Sequence, residues 1–186
     1  RDNLTKNQVE NINIAKSSAT SLLCVINDIL DFSKIESGKV ILENIEFDIT
    51  KELGSFAKSI AVTINNQKVE LLLDITIADP IIYSDIGRIK QILNNLVGNS
   101  IKFTHKGNII IRALLEEMGK EKGFLTISVE DTGIGIPQDK LSNLFDAFTQ
   151  ADSSTTRKYG GTGLGLSISK KLVHLLGGEL SVTSTP

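Results

Sequence analysis

The sequence predicts an α+β protein: a long amphipathic helix followed by a two-layer α/β sandwich, with helices on one face of a mixed sheet. Three observations carry that expectation. Apolar residues recur at spacings of three and four along the N-terminal segment. Helix-patterned and strand-patterned segments then succeed one another in an order that suits a layered sandwich. Glycine-rich stretches stand where a strand runs into a turn and where a loop runs into a helix.

The first element begins at Leu4-Thr5-Lys6-Asn7-Gln8-Val9, where Thr5 and Gln8 have capping-box spacing and Leu4 and Val9 can form a hydrophobic staple. Ile12, Ala15, Ala19, Leu22, Ile26 and Ile29 continue as a stripe widened by Leu23 and Leu30. Such a stripe needs a partner helix, from another chain or a neighbouring segment, or else a seat on the globular part of its own chain. Gly38 is the expected stop. Val40 to Phe47 reads as a short strand or extended linker, and the second domain starts there, giving divisions at 1–38 and 39–186. Asp48 to Asn66 reads as a helix, Val69 to Ile77 as a strand and Asp85 to Phe103 as a helix. Strands Asn108 to Leu115 and Phe124 to Glu130 follow, joined by a charged turn around Gly119 to Gly123. Then come a short helix Gln138 to Leu144, a polar loop Asp146 to Gly161, a helix Gly163 to Leu176 and a strand Glu179 to Thr183.

At 186 residues the chain holds one ordinary domain, or a smaller one with an appendage. With 40% hydrophobic and 23% charged residues it can bury a core, and its net charge of −2 argues against nonspecific nucleic-acid binding. The single cysteine, Cys24, excludes an internal disulfide, suits a reducing compartment and is expected to be a small buried hydrophobe. Every apolar stretch is broken by charge within a few residues, so no spanning helix, signal peptide or direct membrane contact is expected of this segment. A cytoplasmic location follows, whatever anchors a parent protein.

Three motifs carry chemistry. Gly160-Gly161-Thr162-Gly163-Leu164-Gly165-Leu166-Ser167 describes a pliable backbone ending on a helix N-terminus, where free N–H groups can meet an anion. An ordinary glycine loop is the alternative. Glu130-Asp131-Thr132-Gly133-Ile134-Gly135-Ile136-Pro137 follows a strand, which delivers Asp131 to a turn; the carboxylate can accept from an exocyclic amine while Gly133 and Gly135 leave room for a flat ring. Asp131 can equally serve to close an Asp-x-Gly turn. In Arg88 to Phe103, Ile89, Ile92, Leu93, Leu96, Val97 and Ile101 form one stripe, and Asn95, Asn99 and Lys102 fall on another. Two carboxamides and an ammonium so aligned can serve a hard cation and a phosphate, or merely form a solvated face.

In this order the three motifs resemble the N box and the two glycine boxes of the catalytic ATP-binding domain of sensor histidine kinases. Leu144-Phe145-Asp146-Ala147-Phe148-Thr149-Gln150-Ala151-Asp152 is similar to the family's phenylalanine box, and Thr149 to Gly161 is most similar to hybrid kinases, which carry receiver domains. The resemblance implies the fold shared by histidine kinases, DNA gyrase, mismatch-repair ATPases and a heat-shock chaperone. Ser21 to Lys39 resembles the second helix of the dimerisation and histidine-phosphotransfer domain, implying pairing with a second copy. Family members continue past the Thr185-Pro186 position into a further turn and closing strand, so an exposed sheet edge is expected.

Carried over residue by residue, the resemblance implies ATP and Mg²⁺ as cofactors. Asn99 would ligate the Mg²⁺, and Asn95 and Lys102 would face the phosphates. Asp131 would accept from the adenine amine. Gly133 would leave room beside it, Gly135 and Ile136 would floor the ring, and Phe103 would pack near it. Gly161, Thr162, Gly163, Leu164, Gly165 and Leu166 would form the phosphate loop. Asp146 to Gly161 would be a lid, to which Arg157 and Lys158 add charge if they are not simply solvated; Gln150 stands where some members have arginine. The acceptor histidine of the family, followed by an acidic residue and Arg-Thr-Pro, has no counterpart: neither His105 nor His174 has that context. Autophosphorylation is therefore not expected of this chain alone, and a receiver domain, on the same or a separate chain, is the implied recipient. A gyrase-type ATPase is disfavoured because the helix offers Gln91 and no glutamate between Asp85 and Phe103 to activate water. A nucleotide-insensitive scaffold is the other rival.

Overall fold

The computed structural model describes residues 4–64, 68–117, 123–148 and 163–185. Helix α1, Lys6–Glu36, starts on the expected capping box: the Thr5 hydroxyl accepts from Gln8 N while Gln8 Oε1 accepts from Thr5 N at 2.8 Å. It ends at Gly38, whose φ of +64° suits glycine. No residue of α1 is buried, and Leu22, Leu23 and Ile26 stand exposed on it. Cys24 is exposed as well, contrary to the sequence expectation, and it lies on the side of the helix away from the Leu22, Ile26 and Ile29 stripe.

Strand β1 (Ile45–Asp48) leads into helix α2 (Ile49–Ile64), strands β2 (Lys68–Thr76) and β3 (Ile81–Ser84), helix α3 (Ile86–Phe103), strands β4 (Lys106–Glu117) and β5 (Gly123–Asp131), the one-turn helix α4 (Gln138–Leu141) and helix α5 (Gly165–Leu175). The mixed sheet has the order β2-β4-β5, with β2 parallel and β5 antiparallel to β4; β1 and β3 form a separate antiparallel pair in which Ile45 faces Ser84. Ile49, Leu53 and Phe56 of α2 and Ile89, Leu93 and Val97 of α3 pack with Ile111 and Ala113 of β4 as the main core. A second cluster joins Ile92 of α3 to Leu164, Ile168 and Leu172, with Phe32 and Ile35 of α1 against it. Helix α3 thus lies between the sheet and α5.

Asp85 explains why α3 starts where it does. Its carboxylate, 6% exposed, accepts from Arg88 N at 3.0 Å and from Glu43 N at 2.9 Å, capping the helix and fastening the segment before β1. Three expectations change. The helix read over Gln138 to Leu144 contracts to α4, with turns after it. The sheet is divided, with β3 formed where no strand was read. Glu179 to Thr183 pairs in no ladder among the described residues: Leu180 and Val182 are half-buried and Glu179, Ser181 and Thr183 exposed, so the alternation exists without a strand neighbour. Among the described residues no helix is long and apolar enough to cross a membrane.

Candidate functional site

The C-terminal half of α3 gathers the described parts of the three motifs. Ser100 Oγ donates to Asp131 Oδ2 at 2.9 Å, tying the helix to the end of β5. The Ile134 N–H reaches the Phe103 carbonyl at 3.4 Å, laying the turn after β5 against the last residue of α3. Asn95 Nδ2 donates to the Gly165 carbonyl at 3.0 Å and to Ser169 Oγ at 3.2 Å, holding the N-terminus of α5 on the same helix. The turn after β5, the polar face of α3 and the N-terminus of α5 therefore border one region.

Asp131 closes the Asp-x-Gly turn, with Gly133 N donating to its Oδ1 at 2.9 Å, and meets Ser100 through its other oxygen. The carboxylate is still exposed, so each oxygen keeps acceptor capacity toward solvent. Gly133 is needed for packing, since a Cβ there would stand 2.7 Å from both Asp131 Oδ1 and the Phe103 carbonyl. Protein atoms occupy the direction its side chain would take. Gly135 has φ +69°, and Ile136, half-buried, donates its N–H to Ser184 Oγ at 2.8 Å.

On the polar face of α3, Asn99 is half-buried and its side chain makes no hydrogen bond among the described residues. Lys102 places Nζ 5.0 Å over the Phe103 ring, and burial pushes its ammonium below the ordinary lysine value. Asn95 is turned toward α5 and does not point free into the region as expected; its amide hydrogens go to that helix. Gly165 answers it, because a Cβ there would sit 2.8 Å from Asn95 Oδ1.

At the start of α5, Gly163 has φ +69° and Leu164 is 1% exposed, its side chain belonging to the second apolar cluster. The Leu164 carbonyl accepts from Ile168 N at 2.9 Å and from Ser167 Oγ at 2.8 Å. As N-cap, Leu164 lacks the side-chain oxygen that would bond the first-turn N–H groups, leaving that helix end suited to an anion. Gly161 and Thr162 lie outside the described residues, as do Thr149 to Gly160 of the expected lid, including Gln150, Arg157 and Lys158. Three serines were not singled out from sequence: Ser100, Ser169 and Ser184. For Ser100 the signal was present, since it continues the buried stripe at Val97 plus three, where a hydroxyl must find a partner.

Helix α1 is fastened to the first half of α3 and to α5. Asp31 Oδ2 accepts from Gln91 Nε2 at 2.7 Å, and Gln91 Oε1 accepts from Arg88 Nη1 at 2.8 Å. Glu36 pairs with Lys171 of α5, and the Phe32 ring meets Phe148 edge-on at 6.2 Å. Gln91 is thus engaged by α1. His105 sits in the bend after α3 and His174 in the last turn of α5, neither on α1.

Residues 84–186 match the family described as histidine kinase-, DNA gyrase B-, and HSP90-like ATPase. The chain is 46% identical over its whole length to the sensor protein GacS of Pseudomonas syringae pv. syringae, and 44% identical over 97% of its length to the hybrid signal transduction histidine kinase L of Dictyostelium discoideum. It spans only 21% of the first relative and 11% of the second. Among solved structures it is similar to full-length ShkA in complex with AMPPNP, with TM-score 0.79 and 30% identity over 98% of this chain and 38% of that one. The histidine kinase ThkA in complex with the response regulator protein TrrA gives TM-score 0.66 and 26% identity, over 96% and 47% of the respective chains. With the end of β5, the polar face of α3 and the α5 terminus assembled around one helix, this chain belongs to the histidine kinase-, DNA gyrase B- and HSP90-like ATPase family, and over its whole length it is similar to sensor histidine kinases.

Proposed function

We propose that this chain is the ATP-binding catalytic part of a two-component sensor histidine kinase, delivering the γ-phosphoryl group of ATP to a histidine supplied by another segment or chain. The observation that carries the reading is the convergence on α3: Ser100 to Asp131, Phe103 to Ile134 and Asn95 to Gly165 bring the Asp131 carboxylate and the N-terminus of α5 to one polar face. Asp131, exposed with acceptor capacity left, takes the adenine amine. Phe103, Gly135 and Ile136 border the ring. The backbone at Gly163 to Leu166 and the Lys102 ammonium meet the phosphates, while Asn95 fixes the α5 end that does so.

The residues fit a hard cation through oxygen donation. Among the described residues no three His, Cys, Asp or Glu side chains cluster for a metal, whereas Asn99 is half-buried with an unengaged carboxamide. Asn99 would hold Mg²⁺ together with phosphate oxygens and water. When bound, the ion neutralises charge on the phosphates. The transfer joins an imidazole nitrogen to the γ-phosphorus and breaks its bond to the β-phosphate bridging oxygen, releasing ADP. Positioning and charge compensation are what this chain supplies.

The paired copy, the acceptor histidine and an aspartate of a receiver domain complete the relay. A gyrase-like hydrolysis is disfavoured because α3 holds no glutamate and Gln91 is bonded to Asp31. The test incubates this chain and γ-labelled ATP with a dimerisation and phosphotransfer domain carrying the family's acceptor histidine. The expected product is a phosphohistidine, stable to alkali and labile to acid, on the added domain. Label released only as inorganic phosphate contradicts the kinase reading.

A further inference from the structure

Ser100 stands on the apolar side of α3 with 5% of its surface exposed, next in chain to Asn99. A hydroxyl so placed has almost no water and must find an acceptor in the protein. It finds one on a different element, Asp131 Oδ2 at 2.9 Å, where β5 ends. The other carboxylate oxygen, Oδ1, is held at 2.9 Å by the N–H of Gly133. Two donors, one from a helix and one from a turn, grip different oxygens of one carboxylate and fix its plane. The turn bond alone would leave Oδ2 to solvent and the group free to rotate toward it.

We infer that Ser100 is a positioning residue for base choice: by locking the Asp131 carboxylate it favours a purine with a 6-amino group over one with a 6-oxo group. The inference rests on the proposal that Asp131 meets the base. An ionised carboxylate only accepts, so it welcomes an amine and opposes a carbonyl oxygen. That opposition is strong only if the carboxylate cannot turn aside or admit a bridging water. Ser100 supplies the constraint from the same helical turn that carries Asn99, so base end and phosphate end are set by one rigid element.

The test is calorimetric titration with ATP and with inosine triphosphate, each with Mg²⁺, on the whole chain and on Ser100→Ala, Asp131→Asn and the double variant. Alanine is the best helix former, so α3 is expected to persist, which a thermal melt checks. The wild-type chain should prefer ATP. Ser100→Ala should lower that preference by on the order of tenfold, the scale of one hydrogen bond to a charged group, chiefly through weaker ATP binding. In the Asp131→Asn background the same change should leave the ratio unmoved. A merely structural role would weaken both nucleotides together and leave the ratio intact, which would overturn the inference. So would an equal loss of preference in both backgrounds. If the alanine variant does not fold, Ser100→Cys, close in size but a weaker donor, should lose part of the preference; an unchanged ratio there is equally adverse. A wild-type chain that binds neither nucleotide, or an Asp131→Asn change that spares the ratio, overturns the base-recognition reading and this inference with it. Normal sensitivity to Asp131→Asn with none to Ser100 overturns the inference alone.

Discussion

Lys102 shows how one side chain connects packing to chemistry. Partial burial beside Phe103 lowers its pKa because the charged form loses solvation. A phosphate placed near it favours the charged form and raises the value again. The sign follows: nucleotide affinity is full below the lowered value and falls as pH rises through it, in the window under the ordinary lysine value. Binding in that window should take up protons, measurable by calorimetry in buffers of different ionisation enthalpy. Lys102→Met should weaken binding and remove the proton uptake; uptake unchanged in that variant would place the titrating group elsewhere. Sequence pattern aligned Lys102 with Asn95 and Asn99 but did not set it over a ring. It likewise aligned Asn95 with Asn99, yet could not show that the Asn95 amide turns to Gly165, a partner 70 residues away. The burial of Ser100 was legible on the stripe, but not its acceptor, which lies 31 residues further on.

At the scale of elements, α3 is the part on which the site depends, and Asp85 is what starts it. Asp85→Ala removes a helix cap and a bond to the Glu43 N–H, and should cost about 1–2 kcal/mol of stability, read from urea unfolding. A loss well below that would mean that the helix start is set by packing alone. The length and buried face of α3 were readable because a 3.6-residue period over many turns is a strong local signal. Strand β3 was not, since four residues after Pro80 carry little pattern and are made a strand by pairing with β1, far back in the chain. Glu179 to Thr183 misled in the opposite direction. Alternating exposure is a local property, whereas a ladder needs a neighbour in register.

At the scale of the molecule, α1 is joined to the rest near its end, through Phe32, Ile35 and the Asp31–Gln91 bond, while Leu22, Leu23, Ile26, Ile29 and Leu30 stay exposed. An apolar face of that extent suits pairing with a second helix. Sedimentation should show a concentration-dependent dimer that Ile26→Asp converts to monomer, with nucleotide binding preserved in the variant; a wild-type chain monomeric at all concentrations would contradict the pairing. What the whole arrangement claims first is a nucleotide site built on α3. Titration of Mg–ATP into the folded chain, compared with Asn99→Ala and Asp131→Asn, is the most direct measurement of it. Saturable binding weakened by both substitutions is the predicted result, and the absence of binding to a demonstrably folded chain, or binding indifferent to both, would contradict it.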